Sequence, residues 1–161
     1  MSRQLVTILV ALVALSVEPS SAGHAAAGPC TALQTRSVAS AFAAAWTRGD
    51  VAAVERLVAP EPHFRWVSAG PPGDRVGPRA FQRRTLAAFV RARHAQRERL
   101  ALTWFKFHGS DVRAGQGFGH FEFHADRRSS DWPASMTNAR QGKGAIICTL
   151  ARPMLAVWSL G

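Results

Sequence analysis

The sequence predicts a single α+β domain whose helices pack on one face of an antiparallel sheet. Apolar residues recur at helical spacing in the first half of the chain, and with a period of two after residue 100. The length of 161 residues leaves room for one domain and a short targeting segment. A composition of 47% hydrophobic and 19% charged residues is typical of a globular protein.

The N-terminus has the pattern of a secretory signal peptide over residues 1–27. Arg3 precedes an apolar run, Leu5–Val17, and small residues follow it. Cleavage after Ala22, Ala25 or Ala27 fits this pattern. The run is shorter than the ~20 residues of a spanning helix, so we expect a secreted or periplasmic protein without a transmembrane anchor.

The two cysteines, Cys30 and Cys148, both follow the predicted cleavage sites. In an oxidising compartment they can form a disulfide that ties the short segment 28–33 to a late strand. The alternatives are two free thiols, or lipidation of Cys30, for which Pro29 is a poor neighbour. The disulfide is the favoured interpretation, and residues 34–161 form the domain.

Two helices open the domain. The apolar spacing predicts the first over Gln34–Arg48, with Gly49 as its C-terminal cap. Asp50 is then placed to cap a second, short helix that runs through Ala59.

Alternation predicts a short strand over His63–Ser68, and the glycines and prolines of Ala69–Pro78 predict a surface loop. A long helix follows over Arg79–Gln96, starting next to Pro78.

Four strands complete the chain, with a turn at Asp111–Gly115 between the first two. A polar link, Ser129–Gly142, with a short strand around Trp132–Met136, separates the second from the third. The four predicted strands are Leu100–His108, Gly117–Asp126, Gly144–Leu150 and Met154–Leu160.

Two stretches carry a resemblance to a known superfamily. Residues 42–54 read FAAAWTRGDVAAV, a first helix that ends in tryptophan and is followed by Gly-Asp and a second helix. Residues 142–148, GKGAIIC, and 157–159, VWS, look like a closing hairpin. The chain resembles the nuclear transport factor 2-like superfamily over residues 34–160, in particular its SnoaL-like members.

This resemblance implies a cone, in which a curved antiparallel sheet wraps around a long helix and leaves a pocket at the open end. Members include isomerases, dehydratases, cyclases and epoxide hydrolases, and also domains that only bind ligands or proteins. They often pair through their sheets, which implies a homodimer. The fold therefore does not decide the function.

The candidate catalytic residues are His120, Glu122 and His94. His120, Glu122 and His124 share one face of the predicted strand, where they could serve acid–base chemistry. The simpler alternative puts this row in solvent or against a partner subunit. His94 could point into the pocket mouth from the long helix. The chain has no tyrosine to act as an oxyanion donor, and no metal or cofactor motif.

Large aromatic residues are the candidates for a ligand pocket, because such pockets are usually lined by aromatic and apolar side chains. The alternative is that they simply fill the core. The candidates are Trp46, Trp66, Trp104, Phe89 and Trp158.

The formal net charge of +10 comes from eighteen arginines and two lysines against ten acidic residues. Such a balance attracts polyanions, although a GC-rich coding bias is the simpler and favoured explanation. Several arginines in or near the long helix do not form one stripe, and we interpret them as a solvated face. They are Arg79, Arg83, Arg84, Arg91, Arg93 and Arg97.

Together these observations predict an exported domain that binds a small hydrophobic ligand in an aromatic-lined pocket. The alternative is a small hydro-lyase or isomerase that uses histidine and carboxylate groups, so catalysis stays an open question. A third interpretation is a surface module that its arginines hold to anionic polymers. Specific binding to nucleic acid is not expected.

Overall fold

The computed structural model describes residues 29–68, 79–80, 82–133, 139–150 and 152–161. The predicted signal peptide and the predicted loop Ala69–Pro78 lie outside these residues. Within them, no helix is both long and apolar enough to cross a membrane.

Helix α1 spans Ala32–Arg48 and begins two residues before the predicted start. A capping box explains this start: the Thr31 hydroxyl accepts a hydrogen bond from the Gln34 backbone N–H, and the Gln34 side chain accepts one from the Thr31 N–H. At the other end, Gly49 adopts φ 66°, a left-handed conformation that glycine reaches without strain. The predicted glycine cap is therefore confirmed.

Helix α2 spans Val51–Leu57, shorter than predicted. The Asp50 side chain accepts a hydrogen bond of 2.9 Å from the backbone N–H of Ala53, which confirms the predicted cap. Strand β1 follows at Arg65–Ser68, with Trp66 and Ser68 buried as the alternation predicts.

The prediction of one helix over Arg79–Gln96 is wrong at its start. Arg79–Ala80 form a short strand, β2, which pairs antiparallel with β1. Helix α3 spans only Arg83–Ala95, after Gln82 in an extended conformation. Pairing with β1 satisfies backbone groups that the helix would otherwise have bonded, so tertiary pairing overrides the local pattern.

The four predicted strands after α3 are present with different bounds. A two-residue turn at Ala114–Gly115, with positive φ at both positions, replaces the predicted turn at Asp111–Gly115, because the first strand continues through Arg113. Trp132 does not lie in a strand. The strands are β3 (Arg99–Arg113), β4 (Gln116–Arg128), β5 (Ala139–Ile147) and β6 (Met154–Leu160).

The six strands form one sheet in the order β2-β1-β6-β5-β4-β3. All neighbours are antiparallel except β1 and β6, which run parallel, so the sheet is mixed rather than purely antiparallel. Register shifts interrupt β3 on either side of Phe105 and interrupt the β5–β6 pair near Ala145. Such irregularities bend strands and increase twist, which lets the sheet curve over α1.

Two glycines of β5 make room for aromatic rings on the inner face of the sheet. A Cβ atom on Gly142 would lie 2.1 Å from the ring of Phe123, and one on Gly144 would lie 2.1 Å from the ring of Phe121. The rings therefore lie directly over the β5 backbone. This close packing is the local reason for the Gly-Lys-Gly pattern at 142–144.

A disulfide joins Cys30 to Cys148, with their Cα atoms 5.5 Å apart, and confirms the predicted pair. It ties the residue before the α1 cap to the residue after β5. Gly119 on β4 allows this approach, because a Cβ atom there would lie 2.7 Å from Cys30 Cβ. The glycine-rich start of β4 thus accommodates the N-terminal segment.

Replacing both cysteines, Cys30→Ser with Cys148→Ser, should lower the free energy of unfolding by about 4 kcal/mol, because the unfolded chain regains the entropy of a loop of more than one hundred residues. Urea unfolding of the oxidised protein and the double variant measures the difference. The wild type with reducing agent should match the double variant. Equal stability with and without the disulfide would contradict the expectation.

Candidate functional site

Three of the predicted pocket aromatics are buried in the core of the domain. Trp46, Trp66 and Trp158 are each at most 1% exposed. Trp158 packs 4.4 Å from Phe123 between ring centres. These three tryptophans pack inside the curved sheet, as the alternative of a filled core expects.

Phe89 on α3 completes this aromatic core. Its ring centre lies 5.5 Å from Trp46 and 5.0 Å from Trp66, and the side chain is partly buried. The predicted ligand residue thus bridges two core tryptophans. Trp66 Nε1–H also donates to the Thr85 hydroxyl over 3.4 Å, which fixes β1 against α3.

Trp104 is different, because it lies on the outer face of the sheet, the side turned away from the helices. Its side chain is 42% exposed, and its ring centre lies 4.7 Å from that of His124 on β4. The ring lines a groove of about 540 Å³. We call it the Trp104 groove; its polar lining is Glu122, His124, Gln141, Lys143 and Ser159.

Cross-strand pairing explains why these side chains converge. His124 pairs with Trp104 and Gln141, and Lys143 pairs with Glu122 and Ser159. Paired residues of antiparallel strands project from the same face, so the register alone aligns them. The predicted common face of His120, Glu122 and His124 is present, and it is the outer face.

Glu122 is held by two cationic or ionisable neighbours. His108 Nε2 lies 3.0 Å from one carboxylate oxygen, and Lys143 Nζ lies 3.5 Å from the other. The hydrogen bond from His108, followed by that from Lys143, lowers the pKa of Glu122. This carboxyl group is therefore ionised at neutral pH and already paired.

His120 pairs with an acid that the sequence pattern assigned to a turn. Its Nε2 lies 3.1 Å from Asp111 Oδ1, while Arg113 reaches the other oxygen of Asp111 at 2.6 Å. The hydrogen bond with His120, and then the one from Arg113, lowers the pKa of Asp111. Both pairs on the outer face are partly exposed to water.

His94 does not join these residues. It is exposed on α3, and its ring lies directly over Gly49, where a Cβ atom would be 2.4 Å away. It lines a small cleft of about 210 Å³ together with Thr47 and Glu98, in the helical layer. His94 thus lies on the opposite side of the domain from His120 and Glu122.

A buried charged network lies below this cleft, around the carboxylate of Glu98. Glu98 accepts hydrogen bonds from Trp46 Nε1 at 2.9 Å, from Arg93, and from Arg127 at 2.8 Å. All these side chains are buried; Arg127 is 0% exposed. Burial, opposed by Glu98, lowers the pKa of Arg127. These bonds occupy both carboxylate oxygens, so Glu98 is unsuited to act as a base.

The network extends to the segment after β4. Arg93 also donates to both oxygens of Asp131, at 2.8 and 2.9 Å, and this bidentate pair lowers the pKa of Asp131 to about 2. The Arg127 guanidinium lies 5.2 Å from the centre of the Trp132 ring. Arg93 is therefore not part of a solvated face, as its sequence context indicated, but an internal link.

No protein-family model matches the sequence, and neither does any curated protein. Solved structures do match. A candidate dehydratase of the NTF2-like family from Streptomyces avermitilis superposes with a TM-score of 0.57 at 15% identity, over 78% of this chain and 90% of that one. A ketosteroid isomerase-like protein from Erwinia carotovora atroseptica gives 0.53 at 14%, over 80% and 92%.

A protein of unknown function from Shewanella oneidensis, described as NTF-2 like, also superposes, with a TM-score of 0.53 at 11% identity over 78% of this chain and 93% of that chain. The chain has the NTF2-like fold. At these identities the likeness establishes the fold and leaves the function open. The resemblance predicted from residues 34–160 is thus confirmed at the level of fold.

Within this NTF2-like domain, the described residues contain no group of three or more His, Cys, Asp or Glu side chains that could hold a metal ion.

The sequence did not reveal several residues of the buried network and of the Trp104 groove. Period-two alternation would have found Arg127, because it falls on the same side of β4 as Phe121, Phe123 and Ala125. Nothing in the local sequence places Gln141 or Ser159 beside Trp104, since that depends on strand order.

Replacing Glu98 with glutamine should destabilise the NTF2-like domain by about 3–5 kcal/mol, because two buried arginines lose their shared carboxylate. Chemical denaturation measures the change. Glu55→Gln, a partly exposed site without a side-chain ion pair in the described chain, is the matched control and should change little. Similar stability of both variants would show that the network contributes nothing.

The Asp131–Arg93 ion pair should make the stability of the domain decrease at acidic pH. The Asp131 carboxyl has a folded-state pKa of about 2, which lies below its ordinary value of 3.8. The contribution is therefore complete above about pH 4 and is lost as the pH falls towards 2. Asp131→Asn should lower the melting temperature at pH 7, and the difference from the wild type should shrink between pH 4 and pH 2. A difference that stays constant over this range would exclude the ion pair as its source.

Proposed function

We propose that the protein is an exported binding domain without catalytic activity, and that its ligand occupies the Trp104 groove. The observation that carries this proposal is a half-exposed tryptophan that lines an open groove together with polar side chains. A groove of about 540 Å³ has the size of a small-molecule site.

The lining defines the chemistry of the ligand. The Trp104 ring offers an apolar face for stacking. Gln141 and Ser159 offer hydrogen-bond donors and acceptors beside it. Glu122 and Lys143 add one charge of each sign at the groove. We therefore infer a ligand with a flat apolar face and a hydrogen-bonding edge, more polar than the one that an all-aromatic pocket would take.

Binding is better supported than acid–base catalysis. A general base works best when its pKa lies near the operating pH. The carboxyl groups of Asp111 and Glu122 have lowered pKa values and are paired in a partly exposed setting. The alternative of a hydro-lyase or isomerase keeps one observation in its favour, the His120–Asp111 contact.

Export is proposed from the N-terminal sequence pattern together with the disulfide. Disulfides persist in oxidising compartments and are rare in the cytosol. The Cys30–Cys148 bond is compatible with a secreted or periplasmic location.

A homodimer through the sheet is also a proposal. Among the residues that the structure describes, three large apolar side chains on the outer face are more than one third exposed: Val67, Trp104 and Val157. A second copy on this face would cover the Trp104 groove, so pairing and ligand binding would compete for it.

Native mass spectrometry of the protein purified from an exporting host tests the proposal. A co-purifying small molecule should appear with the wild type and be lost in Trp104→Ala, because the stacking surface is gone. Leu33→Ala, a change at another exposed apolar residue on α1, is the control and should retain it. The same spectrum counts subunits.

If Trp104→Ala retained the ligand, the ligand would bind outside the Trp104 groove, which would contradict the proposal. A wild type without any bound molecule would argue against a tight-binding carrier.

A further inference from the structure

Three arginines line one cleft on the helical side of the domain, away from the Trp104 groove. Arg48 lies in the last turn of α1 and Arg56 in the last turn of α2, while Arg152 lies in the turn between β5 and β6. The cleft has a volume of about 400 Å³. Three separate elements of the fold thus bring their cations to the same cavity. We call this the arginine cleft.

No described Asp or Glu forms an ion pair with any of these three side chains. Arg152 is held in place by one hydrogen bond of 2.7 Å to the backbone oxygen of Arg56. Its remaining N–H groups stay available for another acceptor. Like charges that share a cleft repel one another, and a bound anion would remove that repulsion.

A structural explanation accounts for part of this arrangement. Arginines in the last turn of a helix are stabilised by the helix dipole, by roughly 0.3–1 kcal/mol each. That effect covers Arg48 on α1 and Arg56 on α2 separately. It does not explain why Arg152, from a turn of the sheet, is fixed beside them.

The rest of the cleft is apolar. Methyl groups of Ala41, Ala44 and Ala53 and the side chain of Leu57 form its wall. The surface therefore combines guanidinium groups, which match phosphate and carboxylate oxygens, with a wall that favours hydrocarbon.

We propose that the arginine cleft binds one molecule of an amphipathic anion, with a phosphate or carboxylate head on the three arginines and an alkyl body against the apolar wall. This site is independent of the Trp104 groove. A concave cleft of about 400 Å³ suits a single small ligand. An extended polyanion would instead need a track of arginines longer than this cleft. Arg36, Arg91 and Arg128 are also exposed, but they lie outside the cleft.

Dodecyl phosphate below its micellar concentration is the probe, and isothermal titration calorimetry measures its binding. The triple variant Arg48→Gln, Arg56→Gln, Arg152→Gln should raise Kd at least about tenfold, which corresponds to 1.4 kcal/mol. The matched control removes three arginines elsewhere and should change Kd less than about twofold, since only screened long-range charge is lost. It consists of Arg36→Gln, Arg91→Gln and Arg128→Gln.

A second variant keeps all the arginines. Ala44→Glu places a carboxylate four residues before Arg48 on the exposed face of α1, a spacing that favours the helix. Binding should be lost while circular dichroism shows an intact fold. Wild-type affinity in this variant would overturn the proposal.

Three further outcomes would also overturn it. Equal weakening by both triple variants would mean that only the overall charge attracts the probe. Inorganic phosphate binding as tightly as dodecyl phosphate would mean that the apolar wall has no role. Binding to vesicles that contain phosphatidic acid, without binding to the monomeric probe, would mean that the surface recognises a bilayer.

Discussion

The carboxylate of Glu98 joins the helical layer to the sheet, because Trp46 of α1, Arg93 of α3 and Arg127 of β4 all donate to it. A buried charge is tolerated only when its partners are in place, so this group fixes the relative positions of three elements at once. Through Arg93 the same constraint reaches Asp131 and orders the segment after β4. The inside of the curved sheet therefore holds buried charged groups around Glu98 and, next to them, the aromatic rings of the core.

Much of the fold follows from local patterns. Thr31, Gly49 and Asp50 mark helix ends through their own hydrogen bonds or backbone freedom, and the bounds of β6 match those predicted from the sequence. The predicted bounds are wrong where pairing between residues far apart in the sequence determines the secondary structure. Arg79 continues a helical pattern but pairs with β1, and Asp111 looks like a turn residue until β3 extends past it.

The candidate sites were harder to predict than the fold. Alternation correctly placed His120, Glu122 and His124 on one face, but residue type alone could not decide whether Trp66 or Trp158 lines a cavity or fills the core. Both candidate sites use residues from strands or helices far apart in the sequence, such as Trp104 with Ser159 and Arg48 with Arg152. Their proximity depends on the tertiary fold, in which β6 lies beside β5 and the turn between these strands reaches the end of α2.

The bond between Cys30 and Cys148 turns most of the domain into a covalent ring, with β6 outside it as a short tail. A single cut in any peptide bond inside the ring would leave the two pieces attached, so a protease could nick the protein without releasing a fragment. The tail has no such protection. Yet β6 is the strand that joins β1 to β5. The two halves of the sheet are therefore connected through a strand that the disulfide does not enclose, and a cut between Cys148 and β6 would leave that strand held only by hydrogen bonds and packing.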